Sequence, residues 1–190
     1  MEDYNLIIYP NLSNYFSETF EELKQIVDKN FTKIKEITIY EGSFGPFRND
    51  IHPIWDWGFH SVSLLYLLFS EKNFSVVNKK EVKSNNKYGR GMVTKFFFKI
   101  NSNINVKIIT GNLFKKKLRK LKIVLDDKNY ITNDMILHKL SFNNKVIFKN
   151  NKSPISSLLM KFENGNLEVS KKLIDASYKT TVFLEKFYKC

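Results

Sequence analysis

The chain has 190 residues, 43% hydrophobic and 15% aromatic, so it can bury a real core and is not a disordered segment. Its formal charge is +12, but only three of the 31 basic residues are arginine, so the excess reads as a solvated lysine surface rather than a nucleic-acid groove. The single cysteine, Cys190, is terminal, which excludes a disulfide framework and a Cys-based zinc site within the chain, and no metal centre is expected.

In chain order, "NLIIYP", residues 5–10, is a short apolar run ended by Pro10 and predicts a buried strand. Ser17 is placed to cap a helix with Phe20, Leu23, Ile26 and Val27 on one face and the acids Glu18, Glu21 and Glu22 in its first turns. "KEITIYEG" alternates and predicts a strand ending near Gly42. The segment 43–53 holds Gly45, Pro46 and Pro53 and predicts an irregular loop, followed by a helix from about Trp55 to Phe69. "FSVVNKKEV", "GMVTKFFFKI", "INVKIITGN" and "LRKLKIVLDD" predict consecutive strands, with turns at "INSNIN" and "DDKN" and a further strand in "YITNDMILHKL". The expected arrangement is an antiparallel meander with one covered face. Pro154 opens a helix that Gly165 stops, and Ser170 is expected to cap a last helix with Leu173, Ile174, Ser177, Thr181, Leu184 and Phe187 near one stripe. The expected fold class is therefore α+β, a largely antiparallel open sheet with helices packed on one face. No leader follows Met1 and no apolar run reaches the roughly 20 residues a membrane span needs, so a cytoplasmic protein is expected.

The stretch "GPFRNDIHPIWDWGFHSVSLLYLLF" holds both tryptophans and two of the three histidines. Asp56 and His60 are four apart, one helical turn, and a carboxylate beside an imidazole can orient it and raise its pKa, as a general acid or base requires. The same spacing also suits a buried histidine tied down by an aspartate. Arg48, Asn49 and His52 precede the helix in a loop, where binding residues tend to lie, although ordinary loop polarity explains them equally well.

On those residues the chain resembles a family. "EGSFGPFRNDIHPIWDWGFHSVSLLYLL" is similar to the catalytic-domain segment of the Gfo/Idh/MocA oxidoreductases: a strand, a loop with a basic residue, then D-x-G-x-H opening an aliphatic helix, here Asp56, Gly58 and His60. "NLIIYPNLSNYFSETFEELKQIV" resembles that family's last nucleotide-domain strand and following helix, and "SPISSLLMKFENG" with "SKKLIDASYKTTVFLEKF" its closing helices. The resemblance implies residues 1–12 as a remnant of the last strand of a nucleotide-binding domain and residues 13–190 as an α+β substrate and oligomerisation domain. It implies NAD or NADP as cofactor and a sugar, cyclitol or nucleotide sugar as substrate. His60 would transfer the proton, Asp56 would orient it and bond the substrate, and Arg48 and Asn49 would contact substrate.

The family's G-x-G-x-x-G turn is absent; "YGRGMV" leads into a predicted strand rather than a helix. The E-K-P lysine segment is absent too. The chain alone is therefore not expected to bind the dinucleotide. Three explanations stand: half of a split enzyme completed by a separate Rossmann-domain protein, a degenerate relative kept as a sugar-binding or dimerisation module, or a truncated gene product. A homo-oligomer through the uncovered sheet face is expected, with Phe96, Phe98 and Ile100 as a patch, unless these lie under the helices.

Overall fold

The computed structural model describes residues 8–48, 50–70, 72–86, 89–163 and 165–189. Helix α1 (Glu18–Asn30) starts where its cap predicts: the Ser17 hydroxyl accepts a hydrogen bond from the Phe20 N–H at 3.2 Å. Strand β1 (Ile34–Phe44) turns Ile37 and Ile39 into the core. A loop leads to a wide helical turn at Ile54–Gly58, with π-type bonding, which passes into α2 (Phe59–Leu68). The expected single helix thus begins with an over-wide turn, a feature frequent at functional sites.

The remaining strands are β2 (Phe74–Asn86), β3 (Gly89–Ile100), β4 (Ile104–Gly111), β5 (Leu113–Leu125), β6 (Tyr130–Asp134), β7 (Lys139–Phe142) and β8 (Lys145–Lys149), followed by α3 (Pro154–Glu163) and α4 (Leu167–Lys189). Among the described residues the strands form one sheet in the order β2-β3-β4-β1-β5-β6-β7-β8. It is α+β and mostly antiparallel, as expected, with one parallel pair, β1 beside β4. The expected uninterrupted meander is therefore broken once. Strands β4 and β5 are consecutive but part at Asn112, and β1 fills the space between them, pairing with both.

"YITNDMILHKL" is two strands rather than one. The Asp134 carboxylate accepts the N–H groups of Ile136 and Leu137, at 3.1 and 3.0 Å, and this local turn reverses the chain. Asn143 and Asn144, both at positive φ (46° and 68°), then turn β7 into β8, a hairpin that the dipeptide Asn-Asn signalled and the sequence reading passed over.

Helices α1, α2 and α4 cover one face, where Phe98 meets Phe183 at 4.9 Å and Phe96 meets Phe187 at 5.0 Å between ring centroids. Phe96, Phe98 and Ile100 are thus core residues, not an oligomerisation patch. The uncovered face shows the opposite phase: Lys95, Ile109, Tyr40 and Lys120 across one row, and Phe97, Lys107, Thr38 and Lys122 across the next. In α4 the buried stripe runs through Ser170, Leu173, Ala176, Thr180, Phe183, Leu184 and Phe187; Ile174 and Thr181 face outward.

The cap of α4 is Asn166, whose Oδ1 accepts the Val169 N–H at 3.0 Å. Ser170 lies inside the helix, and its hydroxyl donates to the Ile8 carbonyl at 2.6 Å and accepts the Ile8 N–H at 3.1 Å. Residues 8–10 form no strand; the Ser170 side chain satisfies the Ile8 backbone instead, and the rest of the apolar run lies outside the described residues. No helix among the described residues is long and apolar enough to cross a membrane.

Candidate functional site

Beneath the wide turn the covered face of the sheet changes character. The register sets Glu81, Thr94, Thr110, Glu41 and Arg119 side by side across β2, β3, β4, β1 and β5. This is a continuous polar row in a face filled mainly by Ile, Leu, Val and Phe, which also carries Lys79 and Asn133. Glu41 is only 1% exposed, and the Ser61 hydroxyl of α2 donates to its Oε2 at 2.7 Å. Arg119 Nε lies 3.2 Å from Glu41 Oε1, an ion pair by distance, but the N–H is not aligned on the oxygen and neither atom gains a directed hydrogen bond. The Thr94 and Thr110 hydroxyls and the Trp57 indole N–H are likewise buried without a hydrogen-bond partner among the described residues. The Trp57 ring faces the Arg119 guanidinium at 6.0 Å.

Burial dominates the titration of Glu41 and pushes its carboxyl up to about 7, against the opposing pull of Arg119, the Ser61 hydrogen bond and Lys117. Glu41 and Arg119 were not singled out as site residues from the sequence. The signal was available: Glu41 continues the inward phase of Ile37 and Ile39, and Arg119 that of Leu121 and Ile123, so each is a charge at a core position.

His60 lies in the first turn of α2, half-buried, beside a crevice of only about 10 Å³ that Leu12, Asn14, Tyr15, Ser63, Leu64 and Leu67 also line. Its pKa falls below the usual histidine value, because burial and the Arg119 charge outweigh Asp56, which pulls the other way. The expected raising by Asp56 is present but loses to desolvation. The imidazole is therefore neutral at neutral pH and can accept a proton.

Asp56 belongs to the wide turn, its side chain 27% exposed, and its Oδ1 stands 4.0 Å from the guanidinium Nη1 of Arg48. Arg48 in turn lines a separate cavity of about 410 Å³ with Asp50, His52, Lys83, Arg90 and Tyr188. Asp56 thus connects electrostatically to His60 on one side and to the Arg48 cavity on the other. His52 is pinned by accepting the Ile54 N–H at Nδ1, 3.1 Å, and lies edge-on to the Tyr188 ring at 5.4 Å. Asn49 lies outside the described residues.

The described residues form no glycine cradle of the kind that fits a dinucleotide. Of the glycines, Gly42 and Gly111 serve strand packing: a Cβ on Gly42 would lie 2.2 Å from the Gly111 carbonyl oxygen, and one on Gly111 2.0 Å from that of Met92. Gly89 and Gly91 sit in β3. Among the described residues no strand passes through a tight glycine turn into a helix N-terminus, the arrangement that holds a pyrophosphate.

No family model matches the sequence, and neither does any curated protein. Solved structures do match in fold. The chain resembles UDP-N-acetylglucosamine 3-dehydrogenase from Acidithiobacillus ferrooxidans at 14% identity and a TM-score of 0.67, over 96% of this chain and 63% of that one. A dehydrogenase from Chromobacterium violaceum gives 10% identity and a TM-score of 0.71, over 97% and 61%. A 3-ketoreductase variant from Actinomadura kijaniata, solved with TDP-benzene and NADP, gives 8% and 0.64, over 93% and 60%. The fold is the α+β fold of Gfo/Idh/MocA-type oxidoreductases. The chain spans about three fifths of the length of the solved structures it matches.

Proposed function

We propose that this chain supplies the substrate side of an NAD- or NADP-dependent oxidoreductase acting in the cytoplasm on a sugar, cyclitol or nucleotide sugar. The observation that supports this reading is the likeness of fold to a UDP-N-acetylglucosamine 3-dehydrogenase and a 3-ketoreductase, with His60 at the start of α2 under the influence of the Asp56 and Arg119 charges. In it His60 takes or returns the proton of a substrate hydroxyl at an imidazole nitrogen. Asp56 favours the protonated imidazole and bonds the substrate, while Arg48 and Asn49 hold the remainder. The dinucleotide, when bound, would exchange hydride with the carbinol carbon. Its binding unit lies outside residues 13–190, in a separate Rossmann-domain protein or another part of a longer one, and residues 1–12 lead from it. The apolar side chains Ile155, Leu159 and Met160, exposed along α3, offer such a unit a surface to cover.

The test is turnover in trans. The chain is mixed with a separately expressed nucleotide-binding domain and NAD or NADP, and nicotinamide absorbance is followed with UDP-N-acetylglucosamine as substrate. Turnover that needs both polypeptides and vanishes in His60→Ala supports the reading; turnover indifferent to His60→Ala removes it. A second reading, a non-catalytic sugar-binding or dimerisation module on the same sheet, draws on the lack of a glycine cradle for a dinucleotide among the described residues. It expects sugar binding without nucleotide, unchanged in Asp56→Asn. Under either reading the uncovered sheet face is proposed to join two copies of the chain.

A further inference from the structure

The cavity between the loop after β1 and the start of β3 has a composition unlike the rest of the surface. Arg48, Arg90 and Lys83 line it, against one lining carboxylate, Asp50. Two of the three arginines in a chain that otherwise relies on lysine stand at this one recess. Lys83 is partly engaged by Glu81 at 3.4 Å and Arg48 approaches Asp56 at 4.0 Å. No carboxylate among the described residues pairs with Arg90.

The walls are also fixed. Asn112, 2% exposed, clamps the two segments that bear the arginines. Its Nδ2 donates to the carbonyls of Pro46, at 3.1 Å, and Arg90, at 3.2 Å, and its Oδ1 accepts the Met92 N–H at 2.7 Å. A buried amide satisfied on both sides by these backbones fixes the two segments from which the exposed arginine side chains reach the recess. Two planar forks on a clamped frame match the tetrahedral oxygens of phosphate far better than a scatter of lysines does.

We propose that this cavity binds a phosphate-bearing ligand, gripped by Arg48 and Arg90 with Lys83 adding attraction at longer range. That the phosphates are those of a nucleotide sugar rests on the function proposed above; the anion site itself does not.

The experiment is calorimetric titration of the full chain with pyrophosphate, UDP, UDP-N-acetylglucosamine and uncharged N-acetylglucosamine. UDP and UDP-N-acetylglucosamine are expected to bind, with Arg48→Ala and Arg90→Ala each weakening them about tenfold or more. The lysine forms Arg48→Lys and Arg90→Lys should restore part of that loss, and Lys99→Ala, on the uncovered sheet face, should leave binding unchanged. Circular dichroism of each variant checks that it is folded. Absence of binding by pyrophosphate and both nucleotides, or equal binding by folded Arg48→Ala and Arg90→Ala, would overturn the proposal. Pyrophosphate binding as tightly as UDP-N-acetylglucosamine would keep the anion site and reject a nucleotide sugar as its occupant. Arginine-dependent UDP binding alongside turnover indifferent to His60→Ala would keep the site and remove the oxidoreductase reading. Turnover lost in His60→Ala with no arginine dependence would do the reverse.

Discussion

Glu41 of β1 and Arg119 of β5 face each other across the sheet, 3.2 Å apart, under the turn that carries Asp56 and Trp57. A carboxylate buried to this degree is stabilised in its protonated form, and its pKa rises to about 7. The folded chain therefore holds a proton that the unfolded chain releases from about pH 4.5 upward. The associated stability is fully present below pH 4.5 and lost as pH rises through about 7, with a ceiling of about 3 kcal/mol. Denaturant unfolding at pH 5 and pH 8 should show a fall in stability that Glu41→Gln flattens. An identical pH slope in the variant would refute the assignment.

His60 should titrate below the ordinary histidine value, and Asp56→Asn should lower it further by removing the one charge that supports the protonated ring. Proton NMR of the imidazole across pH 4 to 8 measures both. A midpoint in Asp56→Asn at or above that of the unmodified chain would contradict the arrangement.

Gly111 ends β4 at φ 149°, and an added Cβ would meet the Met92 carbonyl oxygen at 2.0 Å. Gly111→Ala should therefore abolish folding or cost more than about 3 kcal/mol, since both backbone conformation and strand spacing forbid it. Thermal unfolding by circular dichroism decides the point, and a variant within about 1 kcal/mol of the parent would count against the described corner.

Phe187 joins α4 to the sheet through Phe96, 5.0 Å between ring centroids, and packs against Phe183 of the same helix at 5.0 Å. Phe187→Ala should destabilise the chain by about 3–5 kcal/mol, as the loss of a fully buried aromatic usually does. The same substitution at exposed Tyr188 should cost less than about 1 kcal/mol.

Self-association through the uncovered face would bring Lys95, Lys107, Lys120 and Lys122 of one copy towards those of another. Added salt screens that repulsion, so a sheet-mediated dimer should tighten as ionic strength rises. Sedimentation at two salt concentrations, with Phe97→Lys as the disrupting variant, tests this. A dimer that weakens with salt, or survives Phe97→Lys, is built on another surface.

Local patterning was enough for much of this protein. The Ser17 cap, the alternation of Phe96, Phe98 and Ile100 with lysines, and the turn after Ile100 depend on neighbours a few residues away, and each lies where that spacing puts it. The resemblance at Asp56, Gly58 and His60 pointed to the α+β fold that the solved structures share. Other features depend on which strands become neighbours, and nothing within a short window encodes that choice. The insertion of β1 between β4 and β5 is one, and it aligns Glu41 with Thr110 and Arg119 in a buried polar row. The sign of the His60 shift is another: spacing supplied the aspartate beside it, but burial and a distant arginine, both products of packing, outweigh that single charge.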